Sequence, residues 1–217
     1  MTSDFLITRP KHDIVVTYLS KWSKEVLDFA KNKNIKFTDF EAEQANRKNV
    51  EKYLKKQNPR LVVFNGHGNA TMICGHKDEP LIVSNENEKL LKSKITYAVA
   101  CDAAKELGKN AVKKDCEAFI GYDGPFGFVR DASRECTPQK DKFAEPFKKI
   151  SNVIVTSLLC GDSVKTSVEK SQHLTSELIG KYSTSDAEPG YKDVRFWLFW
   201  DKFFLKVIGV STAKFSE

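Results

Sequence analysis

The chain has 217 residues, 41% of them hydrophobic and 29% charged, with a formal net charge of +6. That length suits one large domain with a substantial core, and the composition is that of a soluble globular protein rather than a disordered or fibrous one. The five cysteines contain no C-x-x-C pair, which excludes a zinc ribbon and a dithiol redox motif.

In chain order, the N-terminal "MTSDFLITRPKHD" lacks the basic and long apolar regions of a secretory signal, so a cytoplasmic, thiol-reducing setting is expected. "DIVVTYLS" (13–20) is β-branched and reads as the first strand. "KWSKEVLDFAKNKN" then places Trp22, Val26, Phe29 and Ala30 at helical spacing. "IKFTDFE" reads as a second strand, and "ANRKNVEKYLKKQNP" as a helix with Val50, Tyr53 and Leu54 on one stripe, ended by Pro59. "RLVVFNG" is the third strand, "TMICGHKDEPLIVSN" a hairpin, and "KITYAVAC" the fourth strand. "KELGKNAVKKD" is a short helix and "CEAFIGYDG" the fifth strand. From about residue 139 the chain turns helical. One helix closes at Gly161, and a second, capped by Asp162 or Ser163, repeats Val164, Val168, Leu174 and Leu178.

Strands that are apolar throughout, alternating with helices, predict an α/β fold: a mostly parallel sheet of about five or six strands with helices on both faces. No linker, repeat or low-complexity tract divides the chain, so residues 1–217 are read as a single domain. "VRFWLFWDKFFLKVIGV" (194–210) is too short and too charged to span a bilayer. It reads as a terminal helix whose Phe196, Phe199, Trp200, Phe203 and Val207 pack on the core, with a dimer or larger assembly, or a membrane-surface helix, as other uses of that face. The lysines are spread widely and no basic run interleaves with aromatics, so no nucleic-acid partner is expected.

Two successive strands end in chemically capable residues, Gly66-His67-Gly68 and Ala100-Cys101-Asp102. In open parallel sheets functional groups collect beyond the carboxyl ends of the strands, and neighbouring strands lie about 4.8 Å apart. A thiol and an imidazole so placed are the pair required for covalent acyl transfer. The N–H groups of Gly68 and Cys101 are candidate oxyanion donors. Gly66 lets the backbone approach a ligand, and Ala100, Ala103 and Ala104 leave room for substrate.

"VVFNGHGN", "TYAVACDAA", "CEAFIGYDG" and "LLCGDSVKTSVEKS" together resemble the caspase-like cysteine peptidases, the group of caspases, legumain, gingipain and clostripain, over residues 13–182. The resemblance implies a caspase-like fold of flavodoxin-like strand order and a protein or peptide substrate. Parts of the group depend on calcium, but this sequence shows no calcium loop, and no cofactor or metal is expected. It gives His67 the role of general base and acid, and Cys101 that of nucleophile. The caspase signature Q-A-C-[RQG]-G is absent, and the histidine precedes the cysteine by 101 − 67 = 34 positions against about 50 in caspases. The clostripain and gingipain branch therefore fits better, which implies cleavage after arginine or lysine. Asp123, in "GYDGPFGF", is the candidate carboxylate for that pocket, and Asp102 competes with it. The segment 125–145 is read as a wall over the cleft. His12 and His173 are read as solvent-facing and His76 as a surface turn, since Cys74 and His76 alone do not make a zinc site. Two other readings stand beside the peptidase: an inactive binding or scaffold module of the same fold, and a flavodoxin-like nucleotide or phosphate binder. The second lacks both G-x-G-x-x-G and GK[ST].

Overall fold

The computed structural model describes residues 4–184, 188 and 190–216. Its sheet has six strands in the order β2-β1-β3-β6-β7-β8. These are β1 (Asp4–Arg9), β2 (Lys36–Glu41), β3 (Leu61–Asn65), β6 (Ile95–Val99), β7 (Ala118–Tyr122) and β8 (Leu205–Gly209). The first five are mutually parallel and β8 runs antiparallel to β7. Between β3 and β6, strands β4 (Met72–Cys74) and β5 (Pro80–Val83) form the expected hairpin.

The helices are α1 (Ile14–Asn32), α2 (Arg47–Gln57), α3 (Leu107–Lys113), α4 (Glu145–Leu159), α5 (Val164–Lys181) and α6 (Tyr191–Phe204). Alternation along the strands divides the core in two. Phe5, Ile7, Leu61, Val63, Ile95, Tyr97, Val99, Ala118 and Ile120 pack in the layer with residues of α1, α4, α5 and α6. Leu6, Val62, Phe64, Ala98 and Phe119 pack in the layer with residues of α2, α3 and the hairpin. Successive strand side chains point to opposite faces, so a sheet buried on both sides requires strands that are apolar at every position.

Three sequence expectations are corrected. Residues 13–20 are not a strand. Asp13 has an extended backbone and accepts a 2.9 Å hydrogen bond from the Val16 N–H, which caps α1 and starts the helix at Ile14. The true first strand is "DFLITR", whose apolar stretch is only three residues long. Second, α6 ends at Phe204, and Leu205 to Gly209 cross to the sheet edge as β8. Third, the buried line of α6 is Val194, Leu198 and Asp201, while Phe196, Phe199 and Phe203 are 55%, 61% and 62% exposed. These three aromatics face outward, whereas Trp197 and Phe204 pack partly against the core beside Val194 and Leu198.

Other elements stand where their signals put them. Ser163, of the two candidate caps, accepts from the Thr166 N–H at 3.1 Å, and Gly161 takes φ +92° after α4. No described helix is long and apolar enough to cross a membrane.

Candidate active site

Register brings the two strand ends together. Asn65 of β3 is paired with Val99 of β6, so His67 and Cys101 each lie two residues beyond the same rung. The ladder runs one step further, the Gly66 N–H donating to the Val99 carbonyl at 3.3 Å. At Gly68 a Cβ would stand 3.0 Å from the Ala100 Cβ and 3.3 Å from the Cys101 carbonyl oxygen. The histidine loop therefore lies directly against the cysteine loop, and a Cβ at Gly68 would also stand 2.9 Å from the Met72 carbonyl oxygen of the hairpin.

The hairpin fixes the histidine loop from the other side. Gly68 bridges Ile73, and the bonds of that bridge run from the Cys74 N–H to the His67 carbonyl (2.9 Å) and from the Asn69 N–H to the Met72 carbonyl (3.0 Å). This pattern leaves the Gly68 N–H outside the ladder. Gly66 is buried, and a Cβ there would sit 2.2 Å from the Cys74 carbonyl oxygen, so this glycine makes room for the hairpin. Ala100, Ala103 and Ala104 are likewise buried in the second core layer, so they leave no open room for substrate.

His67 is half-buried, and its Nε2 lies 2.6 Å from Oδ2 of Asp13. Burial opposes ionisation of Asp13. The Val16 N–H and the hydrogen bond and charge of His67 outweigh it and hold the carboxyl below its ordinary range. One carboxylate thus caps α1 through Oδ1 and orients the imidazole through Oδ2. Reading 13–20 as a strand concealed it, although an Asp opening an apolar run of helical period is the signal of a cap. Arg9, 2% exposed at the end of β1, steadies this corner: its Nε donates to Asp39 at 2.9 Å and its Nη1 to the Ser20 carbonyl at 3.0 Å.

Cys101 is half-buried and its Sγ lies 3.8 Å from the carbonyl oxygen of Phe126. Burial pushes the thiol above its ordinary pKa, against the Phe126 contact, which acts the other way. Phe126 belongs to the wall expected over 125–145. The wall is pinned by packing of Phe126 on Tyr122 (5.0 Å between ring centres) and of Phe128 on Trp22 (4.8 Å), and by a 2.9 Å bond from Trp200 Nε1 to the Pro125 carbonyl.

Beneath the wall lies Asp201, 1% exposed, whose Oδ1 accepts the Gly127 N–H at 3.1 Å while its Oδ2 is buried without a hydrogen bond. Burial pushes this carboxyl well above its ordinary pKa, against the opposing Gly127 bond. The folded chain then holds a proton that the unfolded chain gives up near pH 4, so stability falls as pH rises from about 4 to the folded-state pKa. Asp201→Asn keeps an acceptor for Gly127 and cannot ionise. Its melting temperature is expected to match that of the wild type near pH 4 and to exceed it increasingly towards neutrality. Thermal melts that separate no further as the pH rises would refute this.

The two candidate specificity carboxylates flank the site differently. Asp102 has φ +57°, a conformation aspartate tolerates, and its carboxylate contacts Lys105 Nζ at 2.7 Å, while its N–H donates to the Gly124 carbonyl at 3.0 Å. Asp123, next to Gly124, is partly exposed and faces Lys206 Nζ at 3.7 Å. His173 is 77% exposed, as expected; His12 is only 12% exposed instead of solvent-facing, and His76 opens an exposed turn with its own side chain 9% exposed. Cys74 and Cys116 are buried, Cys136 and Cys160 exposed, and all five cysteines are free thiols.

The mostly parallel six-stranded sheet, covered by helices on both faces, is the caspase-like α/β fold. Solved structures that share it include the Arg-specific cysteine proteinase gingipain R (RgpB), with a TM-score of 0.59 at 12% identity over 99% of this chain and 47% of that one. A second, described as a protease, gives 0.56 at 13% identity over 99% and 48%. The chain thus spans about half the length of those structures, and at such identities the likeness establishes the fold. No family model and no curated protein matches the sequence.

Proposed function

We propose that this chain is a cysteine endopeptidase that acylates on Cys101, uses His67 as base and acid, and cuts after arginine or lysine. The observation that carries the reading is the shared register of β3 and β6, which sets imidazole and thiol at equal offsets past one rung.

The chemistry is set by the atoms available. With Nε2–H donating to Asp13, the neutral His67 ring keeps Nδ1 bare to take a proton. The Cys101 thiol, pushed above its ordinary pKa chiefly by burial, gives its proton to Nδ1 as sulfur attacks the scissile carbonyl carbon. The oxyanion is met by the N–H groups of Gly68 and Cys101. Collapse breaks the C–N bond, and the imidazolium protonates the leaving amine. Water, deprotonated by His67, then releases the acyl group from sulfur.

The basic side chain of the substrate would pair with Asp123, displacing Lys206 from its 3.7 Å contact. An arginyl acyloxymethyl ketone is expected to add to Cys101 alone among the five cysteines, read by mass spectrometry of peptides. Asp123→Ala is expected to lower kcat/KM for arginyl peptides by about 10²-fold or more, since a charged substrate group loses its partner. Labelling spread over Cys136 and Cys160 would defeat the nucleophile assignment. Unchanged turnover by Asp123→Ala would defeat the pocket assignment only.

A further inference from the structure

Three of the four histidines in the chain converge from separate stretches of sequence. His12 stands edge-on between two others, with ring centres 6.0 Å from His67 and 5.4 Å from His76. Ligand atoms of His12, His67 and Asp78 all lie within 4.8 Å of one another. His12 Nε2 is 3.1 Å from Asp78 Oδ1 and 3.6 Å from Asp13 Oδ2, which is itself 2.6 Å from His67 Nε2. Zinc–ligand bonds of about 2.0–2.1 Å set the edge of a tetrahedron near 3.3 Å. Two of these separations already bracket that edge, and the third is a hydrogen bond that an ion would open by replacing the shared proton.

We propose that His12, His67, Asp13 and Asp78 form a regulatory site for a divalent transition ion, Zn²⁺ foremost. Two imidazoles and two carboxylates neutralise the ion and match its preferred donors; calcium, which takes six to eight oxygens, does not fit. The elements around the site leave the donors available. The second Asp13 oxygen is used by the Val16 N–H, Lys11 Nζ is paired with Glu41, and His76 is engaged by the Lys11 N–H at 3.3 Å and faces Glu43 at 3.6 Å. Asp78 is exposed on the hairpin turn and gives an ion a path in from solvent.

The consequence for catalysis rests on the proposed peptidase activity. Metal on Nε2 moves the ring proton of His67 to Nδ1. The nitrogen that must accept the thiol proton is then already protonated, and attack by Cys101 stops. The ion neither oxidises nor reduces any group, and its removal restores the starting tautomer. The switch is reversible.

The test is calorimetric titration of Zn²⁺ into the Cys101→Ala chain, with Co²⁺ absorption as a second readout. One ion per chain is expected, with the intense visible bands of four-coordinate Co²⁺ and no competition from Ca²⁺. His12→Ala and Asp78→Asn should each weaken binding at least tenfold, and His173→Ala should not. In chains that retain Cys101, the zinc concentration that halves turnover should rise by the same factors, each variant measured against its own chelated rate. Binding that ignores both His12→Ala and Asp78→Asn, or that disappears in Cys101→Ala, would overturn the site. Binding at these residues in a chain with no turnover under chelation would support the site and defeat the peptidase reading instead.

Discussion

Cys101→Ala is expected to lower kcat/KM for a peptide with arginine before the cut by about 10⁴-fold or more, and His67→Ala to cost nearly as much. The reason lies in the resting state of the thiol. A thiol is mostly protonated near neutral pH and burial pushes Cys101 further that way, so sulfur becomes a nucleophile only as the imidazole removes its proton. Neither group retains much value without the other. The double variant should therefore be scarcely worse than either single one, as in other sites whose members act as a unit. Steady-state kinetics on the three variants checks this, with thermal melts to show intact folds. Both residues are half-buried and outside the packed layers, so each substitution should cost no more than about 1–2 kcal/mol of stability. Multiplicative losses, or a His67→Ala chain within about tenfold of wild type, would mean that the two groups do not share one reaction.

The central strands were legible because their burial on both faces writes an unbroken apolar run into the sequence. "LVVFN" and "ITYAV" can be little else, and the residues just past each run land at the edge of the sheet. Residues 13–16 misled for a local reason. Ile14, Val15 and Val16 carry the β-branched signature of a strand, but Ile14 and Val15 are exposed in the first turn of α1, where packing does not select for helix formers. β1 escaped notice because Asp4 and Arg9 at its ends are polar. Arg9 is buried against Asp39, Glu41 and Ser20, contacts that no local pattern predicts.

The C-terminal segment shows another limit of pattern reading. Hydrophobicity located α6 but not its inward face, because the fully buried apolar residues are the smaller Val194 and Leu198, with Trp197 and Phe204 only partly buried against the core and Phe196, Phe199 and Phe203 exposed. Nor does periodicity mark where helix becomes strand. Leu205 comes directly after Phe204 without glycine or proline, and only pairing with Tyr122 fixes the change. Of the site, the histidine and cysteine loops could be read from spacing. Asp13 meets His67, and His12 and Asp78 come beside them, only through tertiary contacts, which in the case of Asp13 and His67 reach across 54 positions.

That Asp13–His67 contact carries the last prediction, which depends on Asp13 having two separable tasks. Oδ1 caps α1 and Oδ2 holds His67. Asp13→Asn retains a cap acceptor but replaces the carboxylate with an amide whose NH₂ faces Nε2. The ring is then driven towards the tautomer with the proton on Nδ1, the wrong one for a base, as in the serine-protease case where the equivalent change costs about 10⁴-fold in kcat. Here a fall in kcat of about 10²- to 10⁴-fold is expected, with KM and melting temperature little changed. Asp13→Ala loses both tasks, so its kcat should fall comparably while stability drops by about 1 kcal/mol from the missing cap. Loss of stability without loss of kcat in Asp13→Ala would reduce this residue to a cap. The opposite split in Asp13→Asn, a large kinetic loss on an unmoved melt, is what an imidazole held by charge requires.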